Sequence, residues 1–377
     1  MRSEPLFREP PFRADHVGSL LRPAELLRAR DDFGRGTITV AELRDVEDAA
    51  IREVVRAQRD AGLRSATDGE FRRASWHMDF IYRLGGVTQA TGEHITVRFR
   101  NDQEELEFAP PAMRVAEPIR LTETIFADDF TFLRDTVEPG QTAKLTIPSP
   151  NMVHYRGGPA SIDPGVYPDL EDFWTDLAAA YNEEVLRLAE LGCRYLQFDD
   201  TSLAYLNDPV QRAEIAARGD DADHLHLRYI KQINAALANR PRGLRVTTHM
   251  CRGNFRSSWA AEGGYDFVAE ALFGELAVDG FFLEFDDERS GGFEPLRFVP
   301  KDKYVVLGLV TTKNGALESK DDLKRRIEEA SKFIDVDQLC LSPQCGFSST
   351  VEGNTLTHEE QFAKIRLIVE TAQEVWG

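Results

Sequence analysis

Leu244-Arg245-Val246-Thr247-Thr248-His249-Met250-Cys251-Arg252-Gly253-Asn254 is a short strand that ends on chemistry. Leu244 to Val246 is β-prone, and the strand is read from Leu244 to Cys251. His249 and Cys251 then face the same side, because residues two apart in a strand share a face. An imidazole nitrogen and a thiol sulfur presented together suit a borderline-soft metal such as zinc. The bland alternative is a packed histidine beside a small buried thiol.

Outward from this stretch, strands and helices alternate. On its N-terminal side stand a strand from Ala143 to Ile147, a helix from Leu170 to Leu191 ended by Gly192, a strand from Arg194 to Asp199 and a helix from Asp223 to Leu237. On its C-terminal side come a short helix from Phe267 to Phe273, then strands from Gly280 to Asp286 and from Tyr304 to Val310. A helix from Asp321 to Ile334, a strand from Gln338 to Ser342 and a helix from Glu359 to Trp376 complete the run. Near the N-terminus, Asp15-His16-Val17-Gly18-Ser19 is a strand running into a turn. Residues 39–61 form a helix, with Thr39 and Glu42 spaced as a capping box, and Ser65 to Phe71 is a strand with an acidic tip. Eight strands alternating with helices predict an α/β fold, a single (β/α)8 TIM barrel spanning residues 1–377, with a doubly wound open sheet as the alternative. Residues 78–140 break the rhythm. His94 to Phe99 and Leu106 to Phe108 alternate like a hairpin closed by Pro110-Pro111, so this block is an insertion after the second strand. It is a surface excursion, or else a lid or an oligomer contact.

The totals narrow the function. A net charge of −19 over 377 residues argues against a nucleic-acid partner, which needs a basic face. No glycine-rich phosphate loop opens a helix. The four cysteines form no CxxC pair and are too few for a disulfide framework. Met1-Arg2-Ser3-Glu4-Pro5 has no apolar leader, and no apolar run is long enough to cross a membrane, so a cytoplasmic protein with reduced thiols is expected.

A (β/α)8 barrel places its chemistry at the carboxyl ends of its strands. Those ends carry His16 and Ser19, Asp68 and Glu70, Ser149 and Asn151, Asp199 and Asp200, His249 and Cys251, Glu284 with Asp286 and Asp287, Lys313, and Cys345. His249, Cys251, Cys345 and Glu284 are the candidate zinc ligands, with Asp286 or Glu288 as substitutes for Glu284, which could instead pair with Arg289. Two thiolates make a metal electron-rich and suit the binding of a substrate thiol better than the activation of water. Cys340 and Cys193 are read as core. Asp68, Glu70, Asp199 and Asp200 form an acidic cluster, either salt-bridged to Arg72, Arg73 and Arg252 or placed to take a substrate's ammonium group.

These motifs have a family likeness. His16-Val17-Gly18-Ser19, Asp68-Gly69-Glu70, Gln197-Phe198-Asp199-Asp200, His249-Met250-Cys251, Leu283-Glu284-Phe285 and Ser342-Pro343-Gln344-Cys345-Gly346 resemble the catalytic barrel of cobalamin-independent methionine synthases. The likeness extends over nearly the whole chain and is closest to the short, single-barrel branch. The resemblance implies a Zn2+ enzyme of methionine biosynthesis that methylates the thiol of homocysteine, a small-molecule reaction with an alkyl donor. In the family that donor is a methylated folate. It matches His249, Cys251, Glu284 and Cys345 to the metal, and Val17 to Ser19, Glu70 and Asp199 to homocysteine, with His16 beside them. Asp200 and Lys313 are the candidate catalytic residues. Lys313 stands where full-length members have a histidine, Asp199-Asp200-Thr201-Ser202 replaces an Asp-Glu-Pro-Ala run, and His154-Tyr155 lies near the place of a pterin-stacking tryptophan. The chain is also similar to epoxyalkane:coenzyme M transferases, whose thiol carries a sulfonate, for which Arg72, Arg73 or Arg252 could serve. A homo-oligomer is a further expectation.

Overall fold

The computed structural model describes residues 9–94, 96–101, 105–109 and 111–377. The leader region at residues 1–5 and the hairpin's Pro110 lie outside them. Seven parallel strands form one curled sheet: β1 (Ser65–Ala66), β2 (Thr142–Pro148), β3 (Tyr195–Asp200), β4 (Arg245–Met250), β5 (Gly280–Glu284), β6 (Tyr304–Val310) and β7 (Leu339–Pro343). Their spatial order is their chain order, and each described pair runs parallel. All six residues of β3 and all five of β5 are buried, as expected for strands covered on both faces.

The expected strand at Asp15 to Ser19 is the point of departure. Only Ala14 bridges in parallel to Leu341 of β7, through Asp15 N donating to Leu341 O at 3.0 Å and Leu341 N to Arg13 O at 2.8 Å. The chain then turns to the other edge, where Leu20 N donates to Gly69 O at 3.1 Å. The segment therefore lies between the two sheet edges without a regular ladder, and seven strands rather than eight make up the sheet. The physical reason is visible at Gly18, whose φ of +151° leaves the strand region.

Helices flank the sheet. Val40–Asp60 has the capping box read from sequence: Glu42 N donates to Thr39 Oγ1 at 3.2 Å, and Thr39 N to Glu42 Oε2 at 2.7 Å. Leu170–Glu190, Leu225–Ala236, Ala269–Glu275, Lys320–Ala330 and His358–Trp376 lie within a few residues of expectation. Ala24–Gly34, Ala127–Thr136 and Pro209–Ala217 are additional helices. Ala127–Thr136 falls inside the block at 78–140, so that block is partly helical and its end packs beside β2. Its irregular part is an antiparallel pair, Gly85–His94 with Pro111–Arg120, carrying a hairpin of Val97–Arg100 and Glu105–Phe108. No described helix is long and apolar enough to cross a membrane.

One buried acid makes the packing sensitive to pH. Glu184, inside Leu170–Glu190, accepts a hydrogen bond from Ile125 N at 3.0 Å through Oε2, while Oε1 has no partner. Burial pushes its carboxyl up to about 8 from an ordinary 4.5. The folded protein therefore keeps a proton that the unfolded chain loses. This contribution to stability is full below pH 4.5 and disappears as pH rises through about 8. Glu184→Gln keeps the acceptor for Ile125 and should match the wild type in urea unfolding at pH 5. At pH 9 it should be more stable by roughly 1–3 kcal/mol. Equal stability at pH 9 would show that Glu184 ionises freely in place.

Candidate metal centre

The parallel register sets the first two groups. Asp199 of β3 stands opposite His249 of β4, and Cys251 follows the end of β4. Cys345 lies just beyond β7. A histidine nitrogen and the sulfurs of Cys251 and Cys345 come within 4.8 Å of one another, and all three residues are buried. Neither ring nitrogen of His249 has a hydrogen-bond partner other than the Cys345 sulfur. A buried imidazole whose one partner is a cysteine sulfur, with a second sulfur beside it, fits a metal-ligand role better than a packing role. No described cysteine is in a disulfide.

The two thiols divide one charge. The neighbouring Cys251 thiol pulls the Cys345 thiol well below its ordinary range, against burial and with help from His249. The Cys345 sulfur and burial together push Cys251 well above it. Burial lowers the affinity of His249 for a proton, but the Cys345 sulfur and the carboxylates of Asp199 and Glu284 more than offset this. The thiol of Cys251 and the imidazole of His249 thus both favour a negative charge on the Cys345 sulfur.

Glu284 is fully buried but does not belong to the group of three. Its Oε2 accepts from Arg252 N at 2.8 Å, and its Oε1 lies 3.2 Å from Lys313 Nζ and 3.3 Å from Arg289 Nη2. Burial opposes its ionisation, yet Lys313, Arg252 and Arg289 outweigh burial and hold the carboxyl well below the usual range. Lys313 also reaches Asp286 at 2.9 Å. Its ammonium is a counter-ion for these two acids and is not on the wall of the cavity described next.

That cavity opens above the cluster and has a volume of about 1030 Å³, its mouth included. Val17, Ser19, Glu70, Asp199, Asp200, His249, Cys251 and Cys345 line it, whereas His16, Gly18, Glu284 and Lys313 do not. Gly18 acts by close approach: a Cβ there would lie 2.7 Å from Thr146 Cγ2 and 3.3 Å from Glu70 Oε1. His16 belongs to a buried polar knot in which Lys144 Nζ lies 3.5 Å from Asp15 Oδ1 and Tyr195 donates to Asp15 Oδ2 at 2.8 Å. Burial and Lys144 push its imidazole down to about 3.

Glu70 adopts a φ of +60°, a left-handed conformation that a non-glycine residue holds only under constraint. Asp68 Oδ1 accepts from Glu70 N at 2.9 Å, and Arg22 Nη2 donates to Glu70 O at 2.9 Å, which fix the turn. Asp68 is therefore a turn-former. Glu70 Oε1 accepts from Thr146 Oγ1 at 2.9 Å, and Oε2 has no partner. Burial raises its carboxyl. Asp199 accepts from Gln197 Nε2 at 2.7 Å and is pushed up to about 7 by burial, with His249 pulling it down and Glu70 pushing it up. Asp200 is saturated by Ser149 Oγ, Asn151 Nδ2 at 2.8 Å, Ser202 Oγ at 2.7 Å and Leu203 N at 2.9 Å, and so ties the loops after β2 and β3 together.

The insertion roofs the cavity. Val97, Phe99 and Phe108 of its hairpin join Phe255, with Phe255 ring centroids 5.4 Å from Phe99 and 4.9 Å from Phe108. Arg100 bridges Trp259 in antiparallel fashion, which fastens the hairpin to the loop after Cys251. Trp76, His77, Arg156 and Tyr205 are also on the wall, and the sequence had given no sign of them. All four lie in segments that follow strands, Tyr205 at the end of a short helix, Ser202–Tyr205, and position after a strand end is the one available signal.

A family model described as the cobalamin-independent synthase catalytic domain matches residues 12–374. The chain is 47% identical over 373 residues to YxjH of Bacillus subtilis (strain 168), a protein described as uncharacterized, covering 98% of this chain and 96% of that one. It is 25% identical over 333 residues to methionine synthase of Pyrococcus abyssi, covering 88% and 84%. Among solved structures, a putative vitamin-B12 independent methionine synthase from Listeria monocytogenes superposes with a TM-score of 0.78 at 38% identity, covering 98% of this chain and 99% of that one. A B12-independent methionine synthase from Shewanella sp. W3-18-1, in complex with selenomethionine, shares the fold with a TM-score of 0.69 at 20% identity, covering 96% and 97%. With its motifs spread along the sheet and a family match from one end to the other, this chain belongs to the cobalamin-independent synthase catalytic-domain family.

Proposed function

We propose that the protein is a zinc-dependent methyltransferase that alkylates the thiol of homocysteine, the whole chain working as one catalytic unit and residues 13–20 serving as the eighth stave of a barrel. The observation that carries this reading is the meeting, on one cavity wall, of the His249, Cys251 and Cys345 cluster with Glu70 and Asp199. Two sulfurs and one nitrogen suit zinc and leave a position free for a ligand. Glu284, ionised and buried beside them, is the remaining candidate donor. Bound there, zinc would let a substrate thiol persist as a thiolate at neutral pH.

The chain's own residues supply the rest. Glu70 and Asp199 take the amino acid's ammonium group, with Val17 and Ser19 on the same cavity wall to hold the rest of it. The hairpin roof keeps water out and holds the donor's methyl carbon in line with the sulfur. The sulfur–carbon bond then forms as the donor's bond to that carbon breaks, and the donor keeps the electron pair. Both thiols must stay reduced, which fits a cytoplasmic setting.

The alternative, ring opening of an epoxide by coenzyme M, needs a cation for the sulfonate. Arg72 is held by Glu47 and Asp129 at 3.6 and 3.2 Å, Arg73 lies 3.9 Å from Glu70, and Arg252 lies 3.7 Å from Glu284. None of these three lines the cavity; Arg156 does, but where the cavity meets an outer hollow that none of His249, Cys251 and Cys345 lines. Calorimetric titration of the zinc-loaded protein tests the choice. Homocysteine should bind with release of about one proton from its thiol, plus a fraction from the Glu70 and Asp199 pair in more acidic buffer, while coenzyme M binds weakly. Tighter binding of coenzyme M would overturn the assignment.

A further inference from the structure

Arg156 follows β2 and is, among the described residues, the one arginine or lysine on the cavity wall, which also carries the carboxylates of Glu70, Asp199 and Asp200. It also lines a second hollow of about 1760 Å³ beneath the outer side of the hairpin. The two spaces share Val97, Phe99, Arg156 and Tyr205, while His249, Cys251, Cys345 and Glu70 line only the first. Arg156 therefore stands at the boundary, at the end of the site away from the metal cluster.

The other arginines of the outer hollow are engaged. Arg100 pairs with Glu262 at 2.7 Å and Arg98 with Glu107 at 3.5 Å, and Arg218 donates to the carbonyls of Arg156 and Tyr155 at 2.8 and 3.1 Å. Arg156 forms no ion pair with a described carboxylate. Its neighbours are aromatic faces, Tyr155 at 5.5 Å and Tyr205 at 5.4 Å from the guanidinium carbon. The Tyr205 hydroxyl is fully buried and has no hydrogen-bond partner other than the Arg156 guanidinium beside it. It points at the loop after Cys251, where a Cβ on Gly253 would lie 2.5 Å from it. A half-buried guanidinium without a counter-ion, facing only a buried phenol, is a costly arrangement. An anion accepting from both would relieve it, and arginine's planar fork suits carboxylate, sulfonate and phosphate alike.

We propose that Arg156 and Tyr205 form an anion subsite for the alkyl donor. The donor is a small organic anion, its charged group on Arg156 and its apolar body under Val97, Phe99 and Phe108. The naming of the occupant as donor rests on the thiol-alkylation reading, whereas the anion subsite does not. The site is electrically polarised: acids beside the metal cluster receive the thiol substrate's ammonium, and a cation at the far boundary receives the second substrate's anion. The two substrates are thereby kept from exchanging places.

The probe is hippurate, an aromatic carboxylate, compared with its neutral amide by calorimetry on the full-length zinc-loaded protein. Hippurate should bind about tenfold tighter than the amide. In Arg156→Gln that preference should vanish, with homocysteine affinity and zinc content unchanged. Arg156→Lys should restore part of it, and Tyr205→Phe should reduce it by about threefold. The subsite is overturned if the wild type does not prefer the anion, or if Arg156→Gln keeps the preference. Loss of homocysteine affinity in Arg156→Gln would give the cation to the thiol substrate and overturn the assignment to the donor. Failure of homocysteine to bind the wild type would remove the thiol reading alone, because the hippurate comparison does not depend on it.

Discussion

Cys345→Ser should leave a folded protein that no longer holds zinc and no longer methylates homocysteine. Protein-bound zinc is worth about 10–16 kcal/mol, so the loss of one thiolate costs roughly 3–4 kcal/mol, or about a hundred- to a thousand-fold in affinity. Cys340→Ser is the matched control. Cys340 packs with Val17, Phe282 and Val306 and touches no member of the cluster, so its replacement should lower stability by about 1–3 kcal/mol and leave zinc bound. Metal analysis after dialysis, with circular dichroism on both variants, makes the comparison. Stoichiometric zinc retained by Cys345→Ser would remove the metal centre from the account.

The parts of this architecture that were legible in sequence are those with a local physical cause. Tyr304–Val310 is a run of apolar residues because both faces of a parallel strand are covered, and Val40–Asp60 begins where Thr39 and Glu42 satisfy each other's backbone. The illegible parts lack such a cause. Ala127–Thr136 starts at Phe126, which has a φ of 62° and offers no capping side chain, so nothing marks its beginning inside the long insertion. The segment at Asp15 to Ser19 has the composition of a strand, but Gly18 bends it off the sheet. Strand ends identified Glu70, Asp199, His249, Cys251 and Cys345, because a parallel sheet delivers its carboxyl ends to one place. They identified Glu284 and Lys313 as neighbours of that place without revealing that these two neutralise each other. Arg156 and Tyr205 reach the cavity from the ends of one-turn helices, Met152–Tyr155 and Ser202–Tyr205, which are too short for any periodicity to mark.

Glu70→Gln should separate recognition of the substrate from binding of the metal. Glutamine has the same shape and can still accept from Thr146 Oγ1, so the turn held by Asp68 and Arg22 remains. What disappears is a buried carboxylate oxygen with no partner in the described structure. A hydrogen bond to a charged group contributes about 1.5–3 kcal/mol, so homocysteine affinity should fall roughly ten- to a hundred-fold. Zinc content should not change, since Glu70 is outside the ligand group. The pH dependence should also move in a defined direction. Glu70 is one of the charges that raise Asp199 to about 7, so without it Asp199 ionises at lower pH. The rise in homocysteine affinity that accompanies ionisation of Asp199 should then shift to more acidic pH than in the wild type. Coenzyme M has no ammonium and should lose little. If both thiols weaken equally, or if the pH midpoint stays in place, the acidic pair is not the ammonium site, and its burial beside the cluster must be structural.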